Sequence, residues 1–436
     1  TFNGAGYPSE PGADIFVSRL NGNASGLVYS TFLGTGGNDV ATALGLDPSG
    51  AATVVGQTNY AGFPVTAGAY DTSFAYGGGP SPTWDAIVTR LDPTGGSLLF
   101  STFLGGSGSD GAYGLAIDTT GATTVVGMTG SLNFPSTPGA FDTTTSGWAG
   151  FVTRVSATGA SLVFSTFLGG GSTLVYRVAV DASGSAVATG STRDPVFPTT
   201  PGAFDTTPPV PTLWPPDLPL NSDLFVTRLD PAGAQAWYST FLGGNSPEAA
   251  AALSLGGTGA ATVAGWTSSP GFPVSAGAFD TTLNSSVYCS FATFCADGFV
   301  ARLDLLPTGV TKYASSTPGC AGPLAAAVSS LPQVGNAAFS VTCTNGPANA
   351  GGTLGVSLAA ASPPFLLAGA LVAIDPTVLI PVTVASDALG ACQAPIPIPA
   401  NPALSGVQAF LQFFWPDPCA PGGVSASDAL AIQVQP

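Results

Sequence analysis

The feature that most constrains this chain is an internal repeat, which occupies the first three-quarters of its length. One apolar segment recurs five times, as DIFVSRL at 14–20, DAIVTRL at 85–91, AGFVTRV at 149–155, DLFVTRL at 223–229 and DGFVARL at 297–303. The segment STFLG follows the first four copies, at 30–34, 101–105, 165–169 and 239–243. An apolar pair such as the one at 41–58 comes next, and then a long loop such as FPSTPGAFDT at 134–143. Each unit therefore holds four short apolar segments separated by turns.

Four short antiparallel strands in every unit are typical of a β-propeller blade. The turns carry an aspartate with a glycine three residues later, at Asp47, Asp92, Asp118 and Asp181. The composition includes 59 Gly and 39 Pro but only one Met, and together with abundant Thr, Val and Phe it favours strands and turns over helices. We expect an all-β fold.

The ordered blocks D-x-F-V-T-R-L, STFLGG, G-x-A-x-D-x-x-G and F-P-T-T-P-G-A-F-D-T resemble the SBBP-type β-propeller repeat of secreted bacterial proteins. The resemblance covers roughly residues 1–313 of the chain. It implies a propeller fold and an extracellular setting, and it implies no catalytic residues.

The strand count of the repeat region is uneven. The D-x-F-V-T-R-L hairpin occurs five times, whereas the pair typified by GLAID and TTVVG occurs four times. We expect four full blades and an orphan hairpin across 14–315, in a four- or five-bladed propeller. Residues 1–13 resemble the end of a long loop and are a candidate donor strand, because open strand edges invite pairing with another chain. The candidate assembly residues are Phe2, Tyr7, Ile15, Phe16 and Val17.

The repeat stops near residue 316, and Pro and Gly then separate roughly seven strand segments. They lie at 337–345, 352–361, 364–374, 377–386, 391–399, 406–416 and 426–435. This pattern predicts an Ig-like β-sandwich over 316–436. Its GN-x-x-F, IPIPA and S-x-A-L segments resemble a C-terminal domain of large secreted proteins of planctomycetes and related bacteria.

Charge and composition exclude several classes of function. The chain has no His, which excludes Ser-His-Asp and Cys-His catalysis and imidazole metal sites. Its net charge is −16 with only 8 basic residues, which argues against nucleic acid and anionic membrane surfaces as partners. Every long apolar run contains a charge or a proline, so no membrane insertion is expected. No signal peptide is visible, which we interpret as a leader already removed before Thr1.

The six cysteines lie in the last third of the chain and are expected to form disulfides. They are Cys289, Cys295, Cys320, Cys343, Cys392 and Cys419. No CxxC or zinc-like spacing is present, so disulfides and an oxidising, extracellular or cell-surface compartment are favoured. Fifteen connectivities are open; the favoured one is Cys289–Cys295, Cys320–Cys343 and Cys392–Cys419.

Five arginines occupy one equivalent repeat position, Arg19, Arg90, Arg154, Arg228 and Arg302. One interpretation is a ring of cations that binds an anionic glycan. The favoured interpretation is a structural role, in which each planar guanidinium pairs with a carboxylate. The aspartates of the FDT loops are the candidate partners, Asp71, Asp142, Asp205 and Asp280.

Other motifs carry weaker signals. The stretches at 105–113 and 34–42 resemble a calcium-binding nonapeptide repeat, but each is isolated and no cofactor is expected. Carboxylates for glycoside hydrolysis would be Asp39, Asp110, Asp194 or Glu248. Sugar-stacking candidates are Trp84, Trp148 and Trp214.

Taken together, the sequence favours a non-enzymatic extracellular structural protein. We expect copies of it to self-assemble into a fibre or surface layer by strand addition between subunits. The alternative is a secreted propeller module that binds glycans or proteins.

Overall fold

The computed structural model describes residues 12–76, 83–171, 173–181, 183–208, 222–256, 260–283, 296–307 and 309–436. The all-β class is confirmed, with 49% of the residues in strands and 2% in helices. The helical residues are three 3-10 turns, Pro376–Val378, Pro402–Leu404 and Pro421–Gly423.

The chain forms two compact units. The first comprises 1–199, 204–254 and 263–301, and the second comprises 200–203, 255–262 and 302–436. The long stretch of the second unit thus begins at Arg302, ahead of the 315/316 boundary expected from the repeat pattern.

The repeat region forms successive small sheets in which neighbouring strands follow chain order. The first sheet has β1 Ile15–Leu20 and β2 Leu27–Leu33. The second has β3 Asp39–Leu46, β4 Ala52–Thr58, β5 Asp85–Leu91 and β6 Leu98–Leu104. The third has β7 Asp110–Ile117, β8 Thr123–Thr129, β9 Ala149–Val155 and β10 Leu162–Leu168.

The fourth sheet has β11 Leu174–Val180, β12 Ala186–Thr192, β13 Asp223–Leu229 and β14 Ala236–Leu242. The fifth has β15 Glu248–Leu255, β16 Ala260–Thr267 and β17 Asp297–Asp304. Within the described residues the first sheet lacks an inner strand pair and the fifth lacks a fourth strand. Closure of these sheets into a propeller stays a prediction.

The Asp-x-x-Gly turns are confirmed. In the turn between β3 and β4, the Gly50 N–H donates to the Asp47 carbonyl, and the Asp47 side chain accepts the N–H groups of Ser49 and Ala51. Gly50 has a φ of 85°, a conformation that glycine adopts without steric cost. The same glycine-to-aspartate bond recurs after Asp92, Asp118 and Asp181.

Successive sheets pack face to face through one repeated apolar contact. Val88 of the second sheet is buried in a cluster with Phe151 and Phe167 of the third. In the same way, Val152 of the third sheet shares a cluster with Phe225 and Phe241 of the fourth. Each sheet therefore presents a phenylalanine-bearing face to the sheet before it and a valine-bearing face to the sheet after it.

The repeated arginines fasten each sheet to the next. Arg90 is 4% exposed; its side chain donates to Thr53 of its own sheet and to the Gly121 carbonyl and Thr123 hydroxyl of the third sheet. Its guanidinium lies 5.1 Å from the centre of the Phe100 ring, in cation–π range. Arg154 repeats this pattern toward the fourth sheet.

These contacts correct the partners expected from the sequence. Arg154 donates to the Thr124 hydroxyl and to the carbonyls of Gly184 and Pro231, not to an FDT-loop aspartate. Arg228 does pair with a carboxylate, but it is that of the turn residue Asp181, at 2.7 Å. The FDT aspartates instead accept N–H groups inside their own loops, as Asp71 does from Ser73.

The second unit contains two sheets and a hairpin. The larger sheet has the order β18-β28-β26-β21-β24 with β27 on β26, the smaller one is β19-β20-β25, and the hairpin is β22-β23. The strands are β18 Val310–Ala314, β19 Ala325–Val328, β20 Ser340–Thr344, β21 Gly351–Ser357, β22 Ala360–Leu367, β23 Ala370–Ile374, β24 Ile380–Ala385, β25 Cys392–Pro395, β26 Gln408–Pro416, β27 Val424–Ala426 and β28 Ala429–Gln433.

The two sheets of the second unit enclose one core. Phe339, Leu354, Phe413 and Trp415 are fully or almost fully buried there. Two sheets around a shared core form a sandwich, while its Ig-like topology stays a prediction. The dense apolar segment that ends in Trp415 is the central strand β26, covered on both edges.

The disulfide pairing expected in the second unit is wrong. Cys320 is bonded to Cys419, with a Cα–Cα distance of 4.9 Å, and Cys343 and Cys392 are free thiols. The Asp417 carboxylate accepts the N–H groups of both Cys320 and Cys419, and so holds their backbones side by side. Cys289 and Cys295 lie outside the described residues.

Substitutions at a buried and at an exposed repeat arginine should differ in their effect on the free energy of unfolding. Arg90→Lys should lower the free energy of unfolding by roughly 2 kcal/mol, because a lysine cannot replace the forked contacts and leaves buried acceptors unpaired. Arg19→Lys is the matched control, since Arg19 is exposed at the equivalent position and a surface change costs about 0.5 kcal/mol or less. Chemical denaturation of the two variants gives the comparison. Equal losses would show that the sheet-to-sheet contacts of Arg90 are not stabilising.

Candidate assembly site

The first sheet exposes the face that every complete sheet buries. Phe16, Leu20 and Phe32 are 61%, 57% and 79% exposed. Their repeat equivalents in the second sheet, Ile87, Leu91 and Phe103, are at most 4% exposed. We call Phe16, Leu20 and Phe32 the head face.

The head face is open because no sheet precedes it among the described residues. Ile15 and Val17 point to the opposite side of β1, since side chains alternate along a strand. Both are 4% exposed and pack against the second sheet. Of the candidate assembly residues, Phe16 is therefore available and Ile15 and Val17 are not, which corrects the sequence-based expectation. Phe2 and Tyr7 lie outside the described residues.

The fifth sheet exposes the complementary face. Val300 is 76% exposed, whereas its equivalents Val88, Val152 and Val226 are fully buried. Trp266 on the neighbouring strand is 40% exposed, and Ala264 beside it is half-buried. We call Ala264, Trp266 and Val300 the tail face.

The first sheet also has an open strand edge. Within the described residues, β1 pairs only with β2. A free edge presents unpaired backbone groups to any extended segment. The first sheet thus combines an open apolar face with an open edge.

Carboxyl groups occur in pairs where two successive sheets meet, at or just before the start of a strand in each sheet. A Cβ atom on Gly105 would lie 2.9 Å from Asp85 Oδ1 and 2.8 Å from Asp110 Oδ2, so the two carboxyl groups flank this glycine. Asp85 and Asp110 are almost completely buried. Asp223 and Glu248 flank Gly243 and are also buried, whereas Asp14 and Asp39 flank Gly34 with Asp14 exposed.

The third copy of the repeat shows that the two acids depend on each other. The positions equivalent to Asp85 and Asp110 are there occupied by Ala149 and Thr173. Both carboxyl groups are missing together. Two buried carboxyl groups this close cannot both ionise readily, so the protonated form of at least one of them is favoured.

Burial and mutual repulsion shift the pKa values of these acids. Burial, opposed by a hydrogen bond from the Ala75 N–H and assisted by the Asp110 charge, raises the pKa of Asp85 to about 7. Burial and the charges of Glu248 and Asp205 raise the pKa of Asp223 to about 7. Burial also raises the pKa of Asp110, although the Gly106 N–H and the Ser131 hydroxyl donate to its Oδ2.

The acids considered for hydrolysis are buried. Asp39, Asp110, Asp194 and Glu248 are each at most 6% exposed. N–H and hydroxyl donors surround Asp110, whereas a calcium site needs oxygen ligands. One cluster with metal-ligand distances appears among the described residues, Cys320, Asp417 and Cys419, but both of its sulfurs are in the disulfide.

Sequence reasoning missed Asp85 and Asp223 as partners of these acids. The recurring aspartate could have indicated this role, because an aspartate begins four of the five D-x-F-V-T-R-L copies and AGFVTRV is the exception. Of the tryptophans proposed for sugar stacking, Trp148 is 46% exposed and lies across Gly130. Trp84 is half-buried, and Trp214 lies outside the described residues.

The carboxyl pairs predict a pH dependence of stability. The folded pKa of Asp85 is raised above its unfolded value, so the folded state holds extra protons and loses stability as pH rises toward about 7. Asp85→Asn should therefore raise Tm relative to the parent at pH 8, and the difference should shrink toward pH 4.5.

Asp47→Asn is the control with a pKa shift of the opposite direction, because the Ser49 hydrogen bonds lower the Asp47 pKa. This variant should lose stability at neutral pH and approach the parent in acid. Thermal unfolding followed from about pH 2 to pH 8.5 tests both variants, because the contribution of Asp47 is lost only below its ordinary pKa of 3.8. A Tm for Asp85→Asn below that of the parent at every pH would contradict the raised pKa of Asp85.

No helix in the described part of the chain has the length and apolarity required to cross a membrane.

The comparisons with known proteins give no family. No protein-family model matches the chain, and no curated protein matches it. Among solved structures, the chain is similar to a protein of unknown function from Dyadobacter fermentans, with a TM-score of 0.31 and 10% identity over 90% of this chain and 95% of that one. It is also similar to a tetra-tandem repeat in the extending region of a large adhesion protein, with a TM-score of 0.17 and 13% identity over 80% of this chain and 81% of that one.

Proposed function

We propose that this protein is a non-enzymatic extracellular structural protein whose copies join head to tail. Its sheets are the blades of an open propeller-like array. One observation carries the proposal: the head face and the tail face are the two unmatched halves of an interface that the chain already forms between its own sheets.

The internal interfaces provide a template for the contact between copies. Val17 packs with Ile87 and Phe103, and Val88 packs with Phe151 and Phe167. The equivalent residues left exposed are Val300 at one end and Phe16 and Phe32 at the other. Packing Val300 of one copy against Phe16 and Phe32 of the next repeats the same arrangement of residues.

Such a contact joins two different surfaces, so a row of joined copies keeps one free head face at one end and one free tail face at the other. A contact of this kind continues along a chain of subunits unless its rotation closes a ring. The product is a fibre or a layer. The open edge of β1 allows strand addition to reinforce the contact, with residues 1–13 as the donor that the sequence predicts.

The chemistry of the chain supports the extracellular, non-catalytic part of the proposal. The Cys320–Cys419 disulfide is typical of an oxidising compartment. The acids considered for hydrolysis are buried, and the sequence has no histidine. Solubility in a chain with few charges then depends on covering the apolar faces.

Single substitutions on either face should block assembly. Phe32→Ser or Val300→Asp removes one half of the contact, and the loss of a large buried apolar side chain is worth about 1.5–3 kcal/mol. We expect association to weaken about 10- to 100-fold, measured by analytical ultracentrifugation and negative-stain electron microscopy. Val163→Ser is the matched control, because Val163 is 53% exposed on a complete sheet.

Mixing the two variants distinguishes head-to-tail assembly from other modes. The Phe32→Ser protein keeps its tail face and the Val300→Asp protein keeps its head face. The mixture should therefore form heterodimers, and no oligomer larger than a dimer. Unchanged assembly of either variant alone would overturn the proposal. A monomeric parent whose stability falls in both variants would show instead that the two faces meet within one chain.

The alternative function is glycan binding by the exposed Trp148, whose indole is open to solvent on a rigid backbone. Aromatic rings on loops are typical sugar-stacking platforms. A glycan array in which the parent binds and Trp148→Ala does not would favour this function. Assembly without any glycan signal would favour the structural one.

A further inference from the structure

The two free thiols of the second unit lie opposite each other in one sheet. Cys343 is on β20 and Cys392 is on β25, and the two residues are direct cross-strand partners. We propose that Cys343 and Cys392 are a second disulfide site of this protein, oxidised in its extracellular form. The inference is independent of how copies assemble.

The strand geometry places both sulfurs on one side of the sheet. Directly opposed residues of an antiparallel pair have Cα atoms about 4.5–5.5 Å apart, inside the range of about 4.4–6.8 Å found for disulfides. Two residues further along the strands, Val341 and Ala394 form the next cross-strand pair on the same side of the sheet, and both are buried. Cys343 and Cys392 therefore both point into the core between the two sheets.

Both cysteines belong to the buried core cluster of the second unit. Cys343 is fully buried and Cys392 is 8% exposed. Among the described cysteines the other two already form a disulfide with each other, so neither competes for Cys343 or Cys392.

A covalent bond at this place has a structural use. The smaller sheet consists of strands of only four or five residues, β19, β20 and β25, and short strands contribute few ladder hydrogen bonds. A bond between β20 and β25 restricts the 48 residues between the two cysteines in the unfolded chain, which favours the folded state. Burial raises the pKa of the Cys343 thiol to about 12, so attack by its thiolate on other disulfides is suppressed.

An external disulfide is the oxidant that forms the bond between Cys343 and Cys392. The two thiols release two protons and two electrons as the Sγ–Sγ bond forms. The oxidant, a small-molecule or protein disulfide, accepts them and leaves as two thiols. Oxidation accompanies folding, while both sulfurs are still accessible.

Peptide mapping of the full chain tests the site. The protein is secreted into an oxidising medium, or refolded with oxidised glutathione, and its free thiols are blocked with iodoacetamide in denaturant without reduction. Trypsin does not separate the four cysteines that follow Lys312, because no Lys or Arg lies beyond it. A protease that cleaves before aspartate releases 304–374, 387–416 and 417–427. Chymotrypsin then cuts after Leu324 or Phe339 and separates Cys320 from Cys343.

The expected result is a Cys343 peptide linked to a Cys392 peptide from within 387–416 and a Cys320 peptide linked to 417–427, with neither cysteine of the new pair alkylated. Alkylation of both Cys343 and Cys392 in most molecules, with Cys320–Cys419 intact, would overturn the proposal. So would the pairing of Cys320 with Cys343. Cys392→Ser is the control variant: Cys343 should then be fully alkylated while the Cys320–Cys419 link remains.

Discussion

The structure of the first unit depends on the strict alternation of side chains along short strands. Alternation gives every sheet a valine-bearing face and a face that bears phenylalanine, leucine or isoleucine, and the two faces fit each other. Val88 and Phe151 illustrate the contact, with the valine of one sheet set against the aromatic ring of the next. Because all internal sheets use this contact, the array is built from one interface repeated. The same rule explains why its two ends are apolar.

The small number of charges in the chain gives polar groups a particular role inside it. Arg90 and Arg154 are buried without a paired carboxylate, and carbonyl and hydroxyl oxygens of the adjacent sheet satisfy them. Acids such as Asp85 and Asp110 are buried in pairs beside a glycine. These buried polar groups therefore act locally, at the seams between sheets.

Much of this organisation was predictable from the sequence, because it depends on local patterns. The repeat defined the strands, and the aspartate-glycine spacing defined the turns. What failed needed knowledge of neighbours distant in the sequence: the acceptors of Arg154 lie on another sheet, and the partner of Cys320 is 99 residues away. The segment predicted as one strand at 364–374 contains a tight turn at Ala368 and Gly369, both with positive φ, so it forms a hairpin.

An interface used several times within one chain also bears on how such a chain changes during evolution. A duplicated or deleted repeat exposes the same two faces as before, so neither event requires new complementary residues to arise. Unequal recombination between the nearly identical segments could therefore lengthen or shorten the array in whole units without a loss of fold. Natural relatives are then expected to differ in the number of sheets more readily than in the residues that join them.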